Sequence, residues 1–475
     1  MTGEDRKASR SAQNIDADDA DVSSSWHHGL AEGLLKYESM VEAIAHGIET
    51  GVLKPGARLP PQRVLARQFG VTVATVTKAI EHASRRGLIV TRTGSGTFVC
   101  SRSDDDATEH AGFVDLSLNV SPTIIAAPVL QHSLRALATS GEPQKLFGHS
   151  PIQGALRNRR AGTAWFALRG LVLPPDQVLI TQGAHEGLLC TLLALASAGD
   201  AILCERLNYV GLKRIAKLLH LRLIPVDVDH EGMDSTALSR FRRDKSIKAI
   251  VCTPVMHNPT TDNLSRARRV ALLRFAREAA IPVIEDDVYG MLAGAEAPPL
   301  AGEWPEGVVI ISSLSKSVSP GIRVGYIAAP AALVSRIRDA MLILGWTEPS
   351  TQAAIASQLI HSGDAFQSTL LHRTEASRRV EIAARALGPR MVTPTSAISY
   401  HVWVSTGSMP AETAAVELAK IGVLVSASTQ FLVGDGPPDH ALRISLGAVA
   451  SADELAPALD TVARVLPIRK PLGSA

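Results

Sequence analysis

From about Gly112 onward, short apolar runs alternate with stretches of helical periodicity. The runs span residues 178–181, 201–204, 223–226, 249–252 and 281–284. Strands that are apolar along their whole length, with helices between them, are typical of a parallel sheet covered on both faces. This part of the chain is therefore predicted to be an α/β domain. Its last hundred residues mix helices with strands such as 397–403, which predicts a smaller α+β lobe.

The composition is that of a globular protein with more than one domain. The chain has 475 residues, of which 46% are hydrophobic and 20% are charged, and this length exceeds a single ordinary core. No apolar run approaches the ~20 residues needed to span a bilayer, and the polar N-terminus lacks the apolar segment of a signal peptide. The four cysteines are scattered without metal-binding spacing. We therefore expect a cytoplasmic protein with reduced thiols, no membrane contact and no metal site.

Local composition predicts four segments. Residues 1–28 are rich in Ser, Asp and Ala and are expected to be a disordered tail. Residues 29–100 have the pattern of a compact domain, in which eight Lys and Arg oppose four Glu and no Asp between Tyr37 and Cys100. Residues 101–112 contain a run of Asp and are expected to be a solvated linker. Residues 113–475 form the α/β domain with its smaller lobe.

The basic segment has the pattern of three helices followed by a β-hairpin. Apolar side chains recur at helical spacing in residues 40–48, 61–69 and 72–86. Thr72 is placed to cap the third helix, while Gly70 and Gly87 end the second and the third. Residues 88–90 and 97–99 predict the two strands of a hairpin. The sequence therefore predicts a winged helix-turn-helix, mainly α with a β wing.

This arrangement suits a protein that binds double-stranded DNA. Two helices joined by a tight turn can place the third helix in the major groove, with the wing and flanking arginines on phosphates. The exposed face of the third helix offers Thr75, Thr77 and Lys78. A small helical dimerisation module is the alternative, because helix-turn-helix patterns alone are weak evidence.

Residues 51–60 and 94–99 strengthen the DNA-binding interpretation, because they resemble the GntR-type winged helix-turn-helix over about sixty residues. The resemblance implies phosphate or base contacts from Arg63, Thr72, Thr75 and Gly94. Many members of that family carry basic residues where this chain has Val73 and Thr77. Base readout at these two positions is therefore expected to be weaker or different.

One lysine in the α/β domain follows a buried-strand pattern. Residues 308–311 are apolar, Ser313 and Ser315 come next, and Lys316 is followed seven residues later by Arg323. A lysine at the end of a buried strand is costly unless it has covalent or ionic work to do. This context suits a Schiff-base lysine, with the two serines and the arginine available to bind a phosphate. The pattern favours a pyridoxal 5'-phosphate (PLP) site.

PLP also needs a carboxylate facing its pyridine nitrogen and donors near its phenolic oxygen. Asp286 ends the apolar strand pattern that precedes it, so its carboxylate is a candidate for the nitrogen. Tyr289, three residues on, and Asn258, which follows another strand, are the candidate donors. Alternatively, the acidic cluster around Asp286 merely marks a solvated strand end, and the Asn-Pro pair is an ordinary turn.

Four further residues complete the expected site. Ala184 and His185 begin a helix directly after the strand 178–181, so their amides point from a helix N-terminus toward an anion. Tyr209 is a candidate ring for stacking on the cofactor. Arg443 is a candidate for bidentate binding of a carboxylate. Ordinary packing of the tyrosine and a surface position of the arginine are the alternatives.

In order and spacing, these residues resemble fold type I aminotransferases over roughly residues 112–467. The resemblance implies that Lys316 is the catalytic lysine and carries PLP as an aldimine. It implies that Asp286 pairs with the pyridinium and that Asn258 and Tyr289 bind the phenolic oxygen. It implies that Ser313, Ser315 and Arg323 bind the phosphate and that Arg443 binds the substrate carboxylate.

The chain departs from this family at three positions. Phe147 stands where many relatives have a tyrosine that reaches the phosphate of the neighbouring subunit. Thr261 replaces the usual glycine after Asn-Pro-Thr, and Ala184 lacks the hydroxyl often found in the phosphate cradle. These changes imply that cofactor binding is retained, with weaker affinity, and that efficient transamination is less assured.

The whole chain resembles MocR-type transcriptional regulators, in which a GntR-type winged helix is fused to an aminotransferase-like domain. The resemblance implies a homodimer with PLP sites at the subunit interface, often with the DNA-binding domain swapped onto the other protomer. It implies a DNA-binding regulator that senses a small amino compound or PLP itself. A PLP-dependent aminotransferase with secondary DNA binding is the alternative, since the residues for transamination are present, and a degenerate fold that binds neither is a third possibility.

Overall fold

The computed structural model describes residues 35–54, 56–92, 96–100, 113–141, 143–294, 297–392 and 396–467. Its internal contacts divide the chain into two units, Met1–Gly112 and Phe113–Ala475. The tail 1–28 and the linker 101–112 expected from composition lie outside the described residues. Within the described part of the chain, no helix is long and apolar enough to cross a membrane.

The first unit is a winged helix-turn-helix, as predicted. Its elements are α1 (Lys36–Glu49), α2 (Gln62–Gln68), α3 (Val73–Arg85), β1 (Ile89–Arg92) and β2 (Gly96–Val99). Thr72 caps α3, because its side chain accepts a hydrogen bond from the Thr75 backbone N–H. Apolar side chains of α1 and α3, among them Ile44 and Val76, are buried in one core. Strands β1 and β2 pair antiparallel to form the wing.

The second unit contains strands and helices in alternation. Its strands are β3 (Val114–Asp115), β4 (Val178–Thr181), β5 (Ala201–Glu205), β6 (Arg222–Val226), β7 (Val228–Asp229), β8 (Gly232–Met233), β9 (Ile247–Cys252), β10 (Val283–Asp286), β11 (Val308–Ser313), β12 (Gly325–Ala328), β13 (His401–Ser405), β14 (Val423–Leu424), β15 (Ser426–Ala427) and β16 (Ala441–Ser445). Its helices are α4 (Ala127–Ala138), α5 (Leu156–Ala167), α6 (Ala184–Leu195), α7 (Val210–Leu218), α8 (Arg266–Ala279), α9 (Gly290–Ala293), α10 (Leu300–Glu303), α11 (Ala331–Leu344), α12 (Ser350–His361), α13 (Asp364–Leu387), α14 (Ala411–Lys420) and α15 (Ala452–Val465).

Seven of these strands form the central sheet, in the order β4-β12-β11-β10-β9-β5-β6. Successive residues of one strand enter opposite cores: Ile250 of β9 belongs to one apolar cluster and its neighbour Val251 to another. The same alternation holds for Ile310 and Ile311 of β11. Both faces of the sheet are therefore buried, which explains why the strands read as continuous apolar runs. The predicted α/β domain is confirmed.

The sequence pattern predicted a parallel sheet, but one strand of the central sheet is antiparallel. Strand β12 runs antiparallel to both of its neighbours, β11 and β4. The connection from Ser313 to Gly325 holds no helix longer than the 3-10 turn Pro320–Ile322. Parallel strands need a crossover of a dozen or more residues, usually a helix, whereas a shorter loop returns the chain antiparallel. This loop carries Lys316, so the antiparallel strand follows directly after the candidate site lysine.

The smaller lobe is α+β, as predicted. The antiparallel sheet β13-β16-β15 packs with α13, α14 and α15 around its own apolar core. The strand expected at 397–403 begins only at His401. The Ile398 and His401 backbone N–H groups donate to the hydroxyls of Ser396 and Ser399 instead. Serine side chains that take up backbone donors in this way compete with a strand ladder.

Gly325, at the start of β12, packs closely against the backbone at the start of α6. A Cβ at this position would lie 2.6 Å from the backbone carbon of Gly183 and 2.9 Å from the backbone nitrogen of Ala184. Because backbone atoms cannot yield as a flexible side chain does, we expect Gly325→Ala to lower the free energy of unfolding by about 2–3 kcal/mol. Urea unfolding followed by circular dichroism measures the change.

Gly345→Ala is the matched control, because a Cβ there meets no atom within 4 Å and its backbone is extended. This variant should unfold at nearly the wild-type urea concentration. Equal stability of the two variants would contradict the close approach at Gly325.

Candidate functional site

Lys316 lies in the loop between β11 and β12, three residues beyond the end of β11. Its side chain is half-buried, and its Nζ donates a hydrogen bond to the Asn119 backbone carbonyl. Burial, together with the nearby Arg443 and Arg323 guanidinium groups, lowers the pKa of Lys316 from its ordinary 10.5 to about 7, although Asp286 acts in the opposite direction. A large fraction of this amine is therefore unprotonated near neutral pH. An unprotonated amine is the form that attacks a carbonyl carbon.

Three consecutive acidic residues at the end of β10 have separate roles. Asp287 forms a buried ion pair with Arg169, with 3.0 Å between Oδ1 and Nη2. Glu285 is buried and accepts two backbone N–H groups at the start of α10. Among the described residues, the Asp286 side chain accepts a hydrogen bond from the Val288 backbone N–H, at 3.3 Å. Asp286 thus has neither the ion pair of Asp287 nor the two backbone donors of Glu285. Because its two neighbours are buried and bonded, the cluster is not simply a solvated strand end.

Burial also raises the pKa of Asp286, to about 6. The Val288 N–H lowers this pKa, the neighbouring Asp287 raises it, and the positive charge of Lys316 lowers it. The carboxylate is therefore held near the lysine without being neutralised by a direct ion pair. A partly buried carboxylate of this kind can stabilise a protonated ring nitrogen.

Asn258 and Tyr289, the two candidate donors to a phenolic oxygen, are each oriented by a neighbour. The Tyr289 hydroxyl oxygen accepts a hydrogen bond of 2.7 Å from Asn119 Nδ2, so its own hydrogen is available for another acceptor. Asn258 Oδ1 accepts from Arg443 Nη1 at 3.2 Å. Since the amide oxygen faces the arginine, Asn258 Nδ2 is the side that can donate elsewhere. The asparagine therefore does more than form a turn.

The serines and Arg323 line the loop that carries the lysine. Ser313 Oγ donates to Ser315 Oγ at 3.0 Å and accepts from the Ser315 backbone N–H at 3.0 Å. Arg323 has a left-handed backbone, with a φ of 53°, and its Nη2 donates to the Gln182 carbonyl at 3.3 Å. A Cβ on Gly183 would lie 3.3 Å from that same guanidinium nitrogen. The loop thus brings Arg323 against the start of α6.

The N-terminus of α6 faces this arginine. Ala184 and His185 are its first residues, and Gly183 precedes them with a φ of 91°. The first backbone N–H groups of a helix have no intrahelical acceptor and attract an anion. Burial, together with Arg323 and Arg214, lowers the pKa of His185, so the neutral imidazole is favoured beside the cations. Two hydroxyls, one guanidinium and a helix N-terminus form a set of donors suited to a phosphate.

Tyr209 caps α7 and approaches His185. The two rings meet edge to face with centroids 6.0 Å apart, and the Tyr209 hydroxyl lies 3.4 Å from His185 Nδ1. A Cβ on Gly211 would lie 2.1 Å from the tyrosine ring, so only a glycine at this position leaves room for the ring. Tyr209 is therefore an aromatic side chain that lies beside His185 at the start of α6.

Arg443 is buried, with 6% of its surface exposed, so the surface alternative is wrong. Among the described residues, its guanidinium forms hydrogen bonds only with neutral groups, which are Asn258 Oδ1, the Ser117 carbonyl and Ser426 Oγ. Its Cζ also lies 4.8 Å from the centre of the Phe431 ring. Its Nε is buried without a hydrogen-bond partner, and burial lowers the pKa of Arg443 to about 10. A buried cation without a carboxylate is costly, so the guanidinium favours an anionic ligand.

These groups together match the chemistry of PLP. The unpartnered Arg443 Nε, the space kept open by Gly183 and the uncompensated excess of cations are the observations that fit it. When bound, PLP supplies an electron-withdrawing ring that stabilises negative charge on a substrate carbon. The residues present would hold its carbonyl carbon, ring nitrogen, phenolic oxygen and phosphate. Their individual roles remain predictions.

Two of the departures noted in the sequence have structural counterparts. Phe147 ends the 3-10 turn Pro143–Phe147 and is 85% exposed. Thr261 is buried and adopts a left-handed backbone, with a φ of 69°. A β-branched residue in this conformation costs on the order of 1–2 kcal/mol. Thr261 therefore adopts a backbone conformation that the glycine usual at this position would adopt without strain.

The candidate DNA-binding residues lie on the two helices of the helix-turn-helix. Arg63 is exposed on α2, whereas Thr72, Thr75, Thr77 and Lys78 lie at the cap and in the first half of α3. Gly94, also expected to contact DNA, lies outside the described residues. The structure thus brings five of the six expected residues to one helix pair. Their contacts with DNA remain predictions.

Asn119 and His401 were not singled out from the sequence, yet both contact the expected site. Asn119 bonds to Lys316 through its carbonyl and to Tyr289 through its amide. The buried His401 ring lies 5.6 Å from that of Tyr289, and its Nε2 lies 3.2 Å from the His257 carbonyl. Burial lowers the pKa of His401 to about 3, so the ring is neutral. Neither residue stands in a recognisable motif, since each reaches the site from a distant segment.

The depressed pKa of Lys316 makes a prediction about stability and pH. At and below pH 7 the folded apoprotein carries a partly desolvated ammonium group, whereas above pH 10.5 the amine is neutral in both folded and unfolded chains. We expect Lys316→Met to stabilise the apoprotein by about 2 kcal/mol at pH 7, after allowance for partial exposure. The difference should shrink as the pH rises from about 7 to 10.5. Urea unfolding across this range measures it, and a pH-independent difference would contradict the pKa shift.

Comparison with known proteins agrees with both halves of the chain. Residues 111–462 match the family model of aminotransferase class I and II, and residues 36–99 match that of bacterial regulatory proteins of the gntR family. Among solved structures, an archaeal alanine:glyoxylate aminotransferase is similar at a TM-score of 0.68 and 22% identity, covering 74% of this chain and 90% of that one. The Pyrococcus horikoshii kynurenine aminotransferase is similar at a TM-score of 0.69 and 18% identity, covering 75% and 91%. At these identities the likeness shows the fold.

Three relatives align with most of this chain and with most of their own length. An uncharacterised helix-turn-helix transcriptional regulator of Bacillus subtilis, YdeF, is 28% identical over 90% of this chain and 94% of its own. The pyridoxine biosynthesis regulator PdxR of Corynebacterium glutamicum is 29% identical over 86% and 91%. The vitamin B6 salvage pathway repressor PtsJ of Salmonella typhimurium is 28% identical over 87% and 94%. The chain belongs to the aminotransferase class I and II family and, with its GntR-type domain, is a transcriptional regulator of the MocR type.

Proposed function

We propose that this regulator binds PLP covalently through Lys316 Nζ and changes its affinity for double-stranded DNA when it binds PLP or a small amino compound. The observation that supports this most directly is that one chain holds both a winged helix with an exposed recognition helix and a lysine-centred set of PLP ligands. A protein that acted only as an enzyme would have no use for the first. A simple DNA-binding protein would have no use for the second.

The charges around Lys316 support an anionic ligand. Arg443 and Arg323 both disfavour the positive charge of Lys316, and Asp286 is the nearby carboxylate that favours it. Burial disfavours the charged forms of Lys316 and Arg443 in the absence of a ligand. A phosphate at the start of α6 and a carboxylate at Arg443 would offset that cost. The site therefore suits a phosphorylated cofactor together with an amino compound that carries a carboxylate.

The effector is proposed to be PLP itself or an amino compound that reacts with it. Two relatives are named for pyridoxine biosynthesis and for vitamin B6 salvage, which favours PLP as the signal. The neutral partners of Arg443 favour an amino acid-like compound as a second ligand. Either ligand can alter DNA binding only if it binds two arrangements of the protein with different affinity.

An aminotransferase is the second candidate function. The amine of Lys316 has a pKa of about 7, which suits a general acid and base at neutral pH. Tyr289 and Asn258 are oriented as donors. A steady-state assay with a panel of amino acids and a keto-acid acceptor tests for turnover. Robust turnover without site-specific DNA binding would favour the enzyme over the regulator.

We further propose a homodimer that acts in the cytoplasm, where its DNA lies. Phe147, Ile343 and Trp346 are large apolar side chains with 85%, 72% and 75% of their surface exposed. The segments that carry them are joined by the Ser150 backbone N–H, which donates to Thr347 Oγ at 3.1 Å. Clustered apolar exposure of this kind marks an interaction surface, and a second copy of the chain is the partner most often found.

Replacement of the lysine tests cofactor binding. Lys316→Ala removes the amine, so we expect PLP to bind without the visible absorbance band of a Schiff base. Absorbance after addition of PLP and gel filtration measures the band. Lys420→Ala is the matched control, because Lys420 is an exposed lysine paired with Glu417 on α14, and it should retain the band.

DNA binding is tested on the same proteins. A duplex selected from a random-sequence library serves as the probe, and fluorescence anisotropy gives the Kd with and without PLP. We expect PLP to shift the Kd of the wild type at least fivefold and that of Lys316→Ala by less than twofold. A full absorbance band in Lys316→Ala, or a Kd that PLP leaves unchanged, would contradict the proposal.

Substitution at the exposed apolar surface tests the dimer. Trp346→Glu places a charge where an apolar contact is proposed, so we expect the dimer to dissociate at least tenfold more readily. Sedimentation equilibrium measures the dissociation constant. Val416→Glu serves as the control, because Val416 is an exposed valine on α14 in the smaller lobe. A monomeric wild type would contradict the dimer.

A further inference from the structure

The exposed start of α3 is apolar, and we propose that it recognises the methyl groups of thymine in the major groove. This inference rests on the proposed DNA binding and specifies what the recognition helix reads. The N-terminal residues of a recognition helix are those that contact base edges. Arginine and lysine there read guanine, whereas apolar groups contact the C5 methyl of thymine. The side chains at this end of α3 therefore indicate whether it reads guanine or thymine.

The threonine hydroxyls at the beginning of α3 form hydrogen bonds within the domain. Thr72 Oγ accepts the Thr75 backbone N–H at 3.2 Å, and the two threonine hydroxyls lie 2.9 Å apart. Thr77 Oγ lies 3.0 Å from the Val73 carbonyl and 3.0 Å from Gln62 Oε1. Its single hydrogen is therefore used by one of these protein acceptors. The methyl groups of these threonines remain for contacts outside the domain.

The apolar side chains beside them are exposed. Val73 has 43% of its surface exposed, and Ala74 is exposed as well. Neither belongs to the apolar core that α3 builds with α1, which takes Val76, Ala79 and Ile80 instead. Together with the methyl of the exposed Thr77, they give the first turns of α3 an outer face of methyl groups.

The cations of α3 are directed elsewhere. Lys78 Nζ lies 4.0 Å from the centre of the Tyr37 ring on α1, a contact that holds the ammonium against its own domain. Arg85, the last residue of α3, pairs with Glu81 at 2.7 Å, at the opposite end of the helix from Val73. On the described α3, the exposed first turns therefore lack the guanidinium fork that reads guanine bidentately. Arg63 lies on α2, the helix that crosses the phosphate backbone in this motif.

The consequence is a preference for thymine rather than guanine where α3 enters the groove. Replacing thymine by uracil removes only the C5 methyl and leaves every hydrogen-bonding group of the base pair in place. Burial of one methyl corresponds to about a fourfold change in affinity. The loss of that contact is therefore measurable at a single position.

The experiment uses the full-length protein. Duplexes are selected from a random-sequence library, and each thymine of the best-bound duplex is then replaced by uracil in turn. We expect uracil to weaken binding about threefold to fivefold at one or two positions of each half-site. Val73→Ala should reduce that penalty at one of them to less than twofold. Val52→Ala is the control, because Val52 is 38% exposed but lies outside α3, and it should keep the full penalty.

The outcomes separate this inference from the proposed function. A protein that retains no specific duplex overturns the DNA-binding proposal and the inference together. A specific duplex whose affinity is unchanged by uracil at every position, or by equal amounts in the wild type and Val73→Ala, overturns the thymine readout alone. A uracil penalty that depends on Val73 supports it.

Discussion

Burial of the central sheet on both faces is the constraint on which the rest of the second unit depends. Each strand is apolar along its length because alternate residues enter two separate cores. Polar side chains are therefore displaced to the ends of the strands, where the chain leaves the sheet. Asp286 at the end of β10, Asn258 after β9 and Lys316 after β11 follow this rule. Crevices at such strand ends are where open α/β sheets bind ligands.

The antiparallel strand β12 adds a second constraint, because it folds the lysine loop back over the same edge. Its first residue, Gly325, lies too close to the start of α6 to tolerate a side chain. This approach brings Arg323, two residues earlier, next to Gly183 and the first amides of α6. A strand that could not lie so close would separate the arginine from the helix. The cradle for an anion thus depends on a glycine that itself carries no functional group.

Desolvation links the fold to the proposed chemistry. The same burial lowers the pKa of Lys316 to about 7 and raises that of Asp286 to about 6. An amine and a carboxylate whose pKa values approach neutrality can exchange protons with a ligand at little cost. In the DNA-binding unit, the polar groups of α3 are instead paired within the protein. In the proposed functions, one unit uses its polar groups to bind a ligand, whereas the other uses methyl groups to contact DNA.

The sequence by itself determined the two-domain organisation and the fold classes, because periodicity and short motifs are local properties of the chain. It also predicted most of the residues that are proposed for the lysine-centred site. It could not predict the antiparallel course of β12 or the late start of β13, since these depend on loop length and serine hydroxyls acting in three dimensions. Only the tertiary structure brought Asn119 and His401 to Tyr289, across sequence separations that no spacing encodes. It also decided that Arg443 is buried among neutral partners. Contacts between distant segments are set by packing, and packing is what a linear pattern does not contain.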